Sequence, residues 1–141
     1  MNSHIVLKVA SKVLIPLIVV FGLYVQFHGD FGAGGGFQAG VIVAVAVILY
    51  ALVFGLEEAR RAVPPAVAKI GAALGVVIYA GVGIVSIALG GNYLDYFVIP
   101  GGQHIGVLLV EIGVLLTVAS VMLLIFYAFA GRAREIPDEE W

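Results

Sequence analysis

Glu111 is the one ionisable residue well inside an otherwise apolar run of the chain. A charge at the centre of a bilayer costs about 2.5 to 3.5 kcal/mol, and less toward the interface, so a partner or a cavity must receive this side chain. Two uses are open to it: relaying a proton or a cation, or locking helices together through hydrogen bonds. His104, seven residues earlier, shares the face of Glu111 if the helix begins that early. The stretch HGDFGAGGGFQAG, residues 28 to 40, adds His28, Asp30 and Gln38 between two apolar runs. His28 and His104 with Asp30 and Asp95 do not have the spacing of metal ligands, and neither a metal nor a cofactor is expected. Gln26 and Gln38 bracket the loop one turn inside each run, where their amides either line a polar path or cap the loop backbone.

Gly34, Gly35 and Gly36 can adopt positive φ at no steric cost, so the chain can reverse tightly and aim its amides at the start of the next helix. That helix N-terminus carries free N–H groups and a partial positive charge, which suits a carboxylate or another buried polar partner. A phosphate-binding loop would need a following Lys and Ser or Thr, and GGGFQAG has neither.

The elements that hold these residues follow from composition. The 141 residues are 62% hydrophobic and 11% charged, far from the balance of a soluble domain, and mark a membrane protein. The absence of cysteine excludes disulfides and thiolate chemistry. A net charge of −2 with sparse basic residues argues against nucleic acid. About 20 apolar residues span a bilayer, and residues 9–27, 37–56, 66–89 and 106–130 meet that length, followed by a short tail, 131–141. The expected fold is one all-α integral membrane domain of four transmembrane helices. Lys8, Lys12 and Pro16 fall in or near the first span; no A-x-A-like cleavage site follows it, and it is counted as spanning rather than as a cleaved signal.

All seven basic residues fall on one side if both termini are cytoplasmic, because neither of the other two connections carries a Lys or Arg. The glycine-rich stretch and the connection GGNYLDYFVIPGGQH, residues 90 to 104, then face outward. The inner connection, with EEARR and Pro64-Pro65, reads as turn chemistry. Tyr93, Tyr96 and Phe97 read as interfacial anchors. With the last span taken from Gly106, Glu111 lies about 8 Å inward. Gly113, Thr117 and Ser120 fall on nearly the opposite face, and with Gly71 and Gly75 on the third span they are the small residues that close helix contacts need.

GGGFQAGVI after an outward first helix, with HGD upstream and an acid followed by Ile-Gly-Val in the last span, resembles the B subunit of the multi-subunit Mrp-type Na⁺(K⁺)/H⁺ antiporters. That domain also occurs in membrane-bound hydrogenase-type complexes. The resemblance covers nearly the whole chain, with one departure: the usual proline before the three glycines is Ala33 here. It implies a small subunit of a hetero-oligomeric transporter of the bacterial cytoplasmic membrane, exchanging cytoplasmic Na⁺ or K⁺ for external H⁺, and not an enzyme. The implied partners are large complex-I-like subunits and other small multi-span subunits. Carried over by position, Gly34, Gly35, Gly36, Phe37, Gln38 and Gly40 form the motif and Glu111 is the intramembrane acid. His28, Asp30, Gln38, His104 and Glu111 are the candidates for an ion or proton path. Two rivals remain at this point: a self-contained homodimeric small multidrug exporter, and a purely structural subunit.

Overall fold

The computed structural model describes residues 2–132; Arg134 and the acidic EIPDEEW end lie outside the described residues. Helix α1 runs Asn2–His28, α2 Gly36–Phe54, α3 Leu56–Ala62, α4 Pro65–Ala88 and α5 Gly102–Ala130, with a 3₁₀ turn at Tyr96–Val98 before α5. Four of these helices, α1, α2, α4 and α5, are long and apolar enough to cross a membrane. No strand occurs among the described residues.

Local chemistry sets the ends of the helices. Gly35 at φ 125° reverses the chain into α2, and Gly55 at φ 106° stops α2 with its N–H on the Ala51 carbonyl. Both values lie where a Cβ is strained and glycine is not. Pro65 occupies the first turn of α4, where its missing N–H leaves no bond unmade. Gly101 at φ 98° caps α5, which begins at Gly102, four residues before Gly106, so His104 lies inside the helix. Pro16 sits within α1, which neighbouring groups in a membrane can accommodate.

The inner connection differs from the turn read in its sequence. LEEARRA folds as the seven-residue helix α3, with acids in its first turn, bases in its last, and ion pairs Glu57–Arg60 at 3.3 Å and Glu58–Arg61 at 2.8 Å. This arrangement complements the helix dipole. Tertiary contacts hold α3 in place. The buried Tyr127 hydroxyl lies 2.9 Å from the Val63 carbonyl and 3.2 Å from that of Ala59, which also accepts the Val63 N–H, and so donates to the carbonyl groups at the end of α3. Arg60 in turn donates to the Tyr127 carbonyl at 3.3 Å and lies over the Tyr127 ring. Removing the hydroxyl in Tyr127→Phe leaves the Val63 carbonyl without this donor, a cost of about 1 to 3 kcal/mol. The expected result is a lower melting temperature and faster proteolysis at Arg60 and Arg61, read by timed trypsin digestion of the membrane-embedded protein.

The spanning helices stand side by side in the order α1, α2, α5, α4, with only a light contact between α1 and α5. Small residues set their spacing. Gly22 of α1 meets Ile42 and Val43 of α2, and Gly40 of α2 meets Leu115 and Val118 of α5. Gly71 and Gly75 of α4 meet Ser120 and Thr117 of α5, while Gly113 lies against the Gly75 carbonyl. Without a hydrophobic force between helices in lipid, such close backbone approach supplies the association. Thr117 and Ser86 satisfy their hydroxyls on carbonyls of their own helices, Gly113 and Val82, each at 2.9 Å. Helix α5 is therefore covered on two faces, while α1 leaves most of its large apolar side chains exposed.

Candidate functional site

The site forms where the glycine loop between α1 and α2 meets α5. A Cβ at Gly29 would stand 3.0 Å from Glu111 Oε1, and one at Gly35 would stand 3.3 Å from it. At Gly36 a Cβ would run into the Glu111 backbone, reaching its Cα at 3.0 Å and its carbonyl carbon at 2.9 Å. Gly34 is closed by the Val25 carbonyl, 2.6 Å from a Cβ there, and the Gly35 N–H donates to that carbonyl at 3.2 Å. The three glycines thus serve close approach as well as the turn. Gly35 and Gly36 bring bare backbone against α5 so that the carboxyl of Glu111 fits beside the loop, while Gly34 lies against Val25 and Gly29. With α5 beginning at Gly102, Glu111 lies about 13 Å along the helix.

Asp30 follows the end of α1, and its carboxylate lies against Nδ1 of His104. Asp30, Gln103, His104 and Val107 line a cleft of ≈ 300 Å³. His104 and Glu111 are seven residues apart on one helix, two turns on the same face, so the cleft lies on the Glu111 side of α5. The pair sits at the surface and contributes about 0 to 1 kcal/mol to stability. Its geometry matters more, because it ties the loop to the start of α5.

The other candidates lie apart from this centre. The His28 ring stacks on Tyr24, with centroids 5.3 Å apart, and its carbonyl accepts from the Phe31 and Gly32 N–H groups. Gln38 is exposed on the outer face of α2, and Phe37 is 64% exposed. Asp95 accepts from the Phe97 N–H at 3.2 Å and caps the 3₁₀ turn. Tyr93 packs over Gly83 and Tyr96 over Gly106, so these two rings wedge the connection onto α4 and α5. Partial burial, with a smaller contribution from Tyr79, pushes the Tyr96 phenol above its ordinary value. Among the described residues no three His, Asp or Glu side chains gather as metal ligands would.

Gln26 is the residue whose placement the sequence left open. It is 2% exposed, whereas Gln38, its counterpart across the loop, is outside. The available signal was its register: Gly22, Gln26 and Gly29 recur at the four- and three-residue steps that line one face of a helix.

The model of a domain related to the MnhB subunit of Na⁺/H⁺ antiporter matches residues 6–124. The chain belongs to the MnhB family. Relatives agree: a Staphylococcus haemolyticus protein provisionally named antiporter subunit mnhB2 is 33% identical over 92% of this chain and 96% of its own length. Proteins of the same name from Staphylococcus epidermidis and Staphylococcus aureus are 31% and 28% identical over the same shares. This MnhB-family chain is a multi-pass bacterial membrane protein and a subunit of a Mrp-type cation/proton antiporter.

Proposed function

We propose that this subunit contributes to the exchange of cytoplasmic Na⁺ or K⁺ for external H⁺, with both termini cytoplasmic and the glycine loop facing outward. The orientation rests on the charge bias of the connections: the basic residues of α3 and the ends of α1 and α5 stay inside, and the glycine loop has none. The chain's work is ion movement rather than bond making. Its share of that work is a polar step in the outer half of the membrane, from the Asp30–His104 cleft to Glu111, beside a larger complex-I-like subunit and other small multi-span subunits. The observation that carries this reading is the Glu111 carboxyl held against bare loop backbone, two turns along α5 from a cleft lined by Asp30, Gln103, His104 and Val107. An acid used only to lock helices needs no such cleft on its side of the helix.

The open array of helices supports a part that works within an assembly. A chain whose first helix touches little but α2 has few means of building an alternating-access path alone. Co-purification from the native membrane in mild detergent, with mass identification of companions, tests this. Large complex-I-like subunits in a stable assembly are the expected result. A homodimer that transports alone after reconstitution would overturn it in favour of a small self-contained exporter.

A further inference from the structure

Gln26 is 2% exposed, and among the described residues neither its Oε1 nor its Nε2 meets a hydrogen-bond partner. Leaving both ends of an amide unpaired in an apolar interior costs several kcal/mol, so buried amides are paired with protein or with water. The position of Gln26 is fixed by its neighbours on α1. Four residues before it, Gly22 lies against the Ala39 carbonyl, Ile42 and Val43 of α2; three residues after it, Gly29 lies against Glu111 Oε1 and Gly35. Residue 26 is within about 60° of both on the helix, one turn deeper in the membrane than Gly29. It therefore lies on the face of α1 that packs on α2, about one turn from the backbone that meets Glu111.

A cation satisfies only the carbonyl end of an amide and leaves the N–H₂ unpaired. Water, which donates and accepts, satisfies both ends. We propose that Gln26 and Glu111 hold a water molecule between them, giving the carboxyl a hydrogen-bonded neighbour. The water site stands on the burial of Gln26; its part in transport rests on the reading of Glu111 given above. Gln26 acts through this water as a positioning residue and extends the polar line from Asp30 and His104 past Glu111 into the membrane.

The test uses the whole antiporter with Gln26→Met, which keeps length and removes both polar ends. Because Met keeps nearly the length of Gln and removes the amide together with its need for a partner, the variant is expected to assemble normally. Exchange in everted vesicles is expected to fall at least about tenfold, as for loss of a hydrogen bond to a charged group. The carbonyl stretch of protonated Glu111, assigned as the infrared band lost in Glu111→Gln, is expected to move to higher wavenumber as its water leaves. Gln26→Asn, short but still amide, retains the band position and most of the activity. An assembled Gln26→Met complex with unchanged exchange and an unmoved band overturns the proposal. Should Gln26→Met fail to assemble, a map of the unaltered complex decides: density within hydrogen-bonding distance of both residues supports the water, and its absence overturns it. Glu111→Gln in the same vesicles separates the two readings. If it is inactive while Gln26→Met is unaffected, the water alone falls; if it is fully active, the transport role of Glu111 falls and the water's role with it.

Discussion

Glu111→Gln is expected to lower cation/proton exchange by about 100-fold, the scale of removing a positioned proton-transfer group, while the complex assembles in normal amount. Glutamine has nearly the shape of glutamate, so it fits beside Gly29 and Gly35 without displacing the loop. It keeps hydrogen-bonding capacity and loses only the charge and the titration. The substitution therefore distinguishes relay from lock: a lock made of shape and hydrogen bonds tolerates it, and a relay does not. Everted vesicles with a fluorescent pH indicator give the exchange rate, and immunoblots of the detergent-extracted complex give its amount. Exchange at the native rate in a normally assembled complex would sink the relay. Glu111→Asp, shorter by one methylene, withdraws the carboxyl from the loop while keeping its charge, and is expected to give an intermediate rate.

The second large effect is structural. Gly36→Ala is expected to strip the subunit from the complex or lower its melting temperature sharply. The added Cβ meets the backbone of Glu111 rather than the flexible end of a side chain, and backbone in a packed helix does not yield. Overpacking of this kind costs about 1 to 3 kcal/mol where side chains can shift, so a backbone collision falls at or above the top of that range. Relief requires α2 to move away from α5, which opens the contact that also seats Gly40 on Leu115 and Val118. Gly81→Ala is the control, because a Cβ at Gly81 meets no atom within 4 Å. Equal melting temperatures for the two variants would show that the glycine loop does not owe its composition to this contact.

Both effects fall on residues that stand out in the sequence. The acid within an apolar span and the three consecutive glycines are visible because each is costly unless something uses it. The stripe of Gly113, Thr117 and Ser120 opposite Glu111, with Gly71 and Gly75, was legible for a related reason: small residues at helical spacing have little use in lipid except to admit another helix. The four spans followed from length and hydropathy alone. The inner connection was misread because a seven-residue helix is too short to hold by propensity. It is held by Tyr127 and Arg60, 64 to 68 residues away from their partners in sequence.

By itself the sequence determined that this is a four-span membrane protein with one intramembrane acid, a glycine loop, and small-residue faces seeking neighbours. Only the tertiary structure decided that the order is α1, α2, α5, α4, that the loop closes on Glu111, and that Gln26 is enclosed while Gln38 is outside. The reason is physical. In water, burial and hydrophobicity go together, and the period of apolar residues shows which face of a helix turns inward. In a bilayer the lipid is as apolar as a protein core, so a helix can be hydrophobic all round and its pattern no longer names the neighbour. What selects the neighbour is the fit of backbone to backbone, and that exists only once the helices have met.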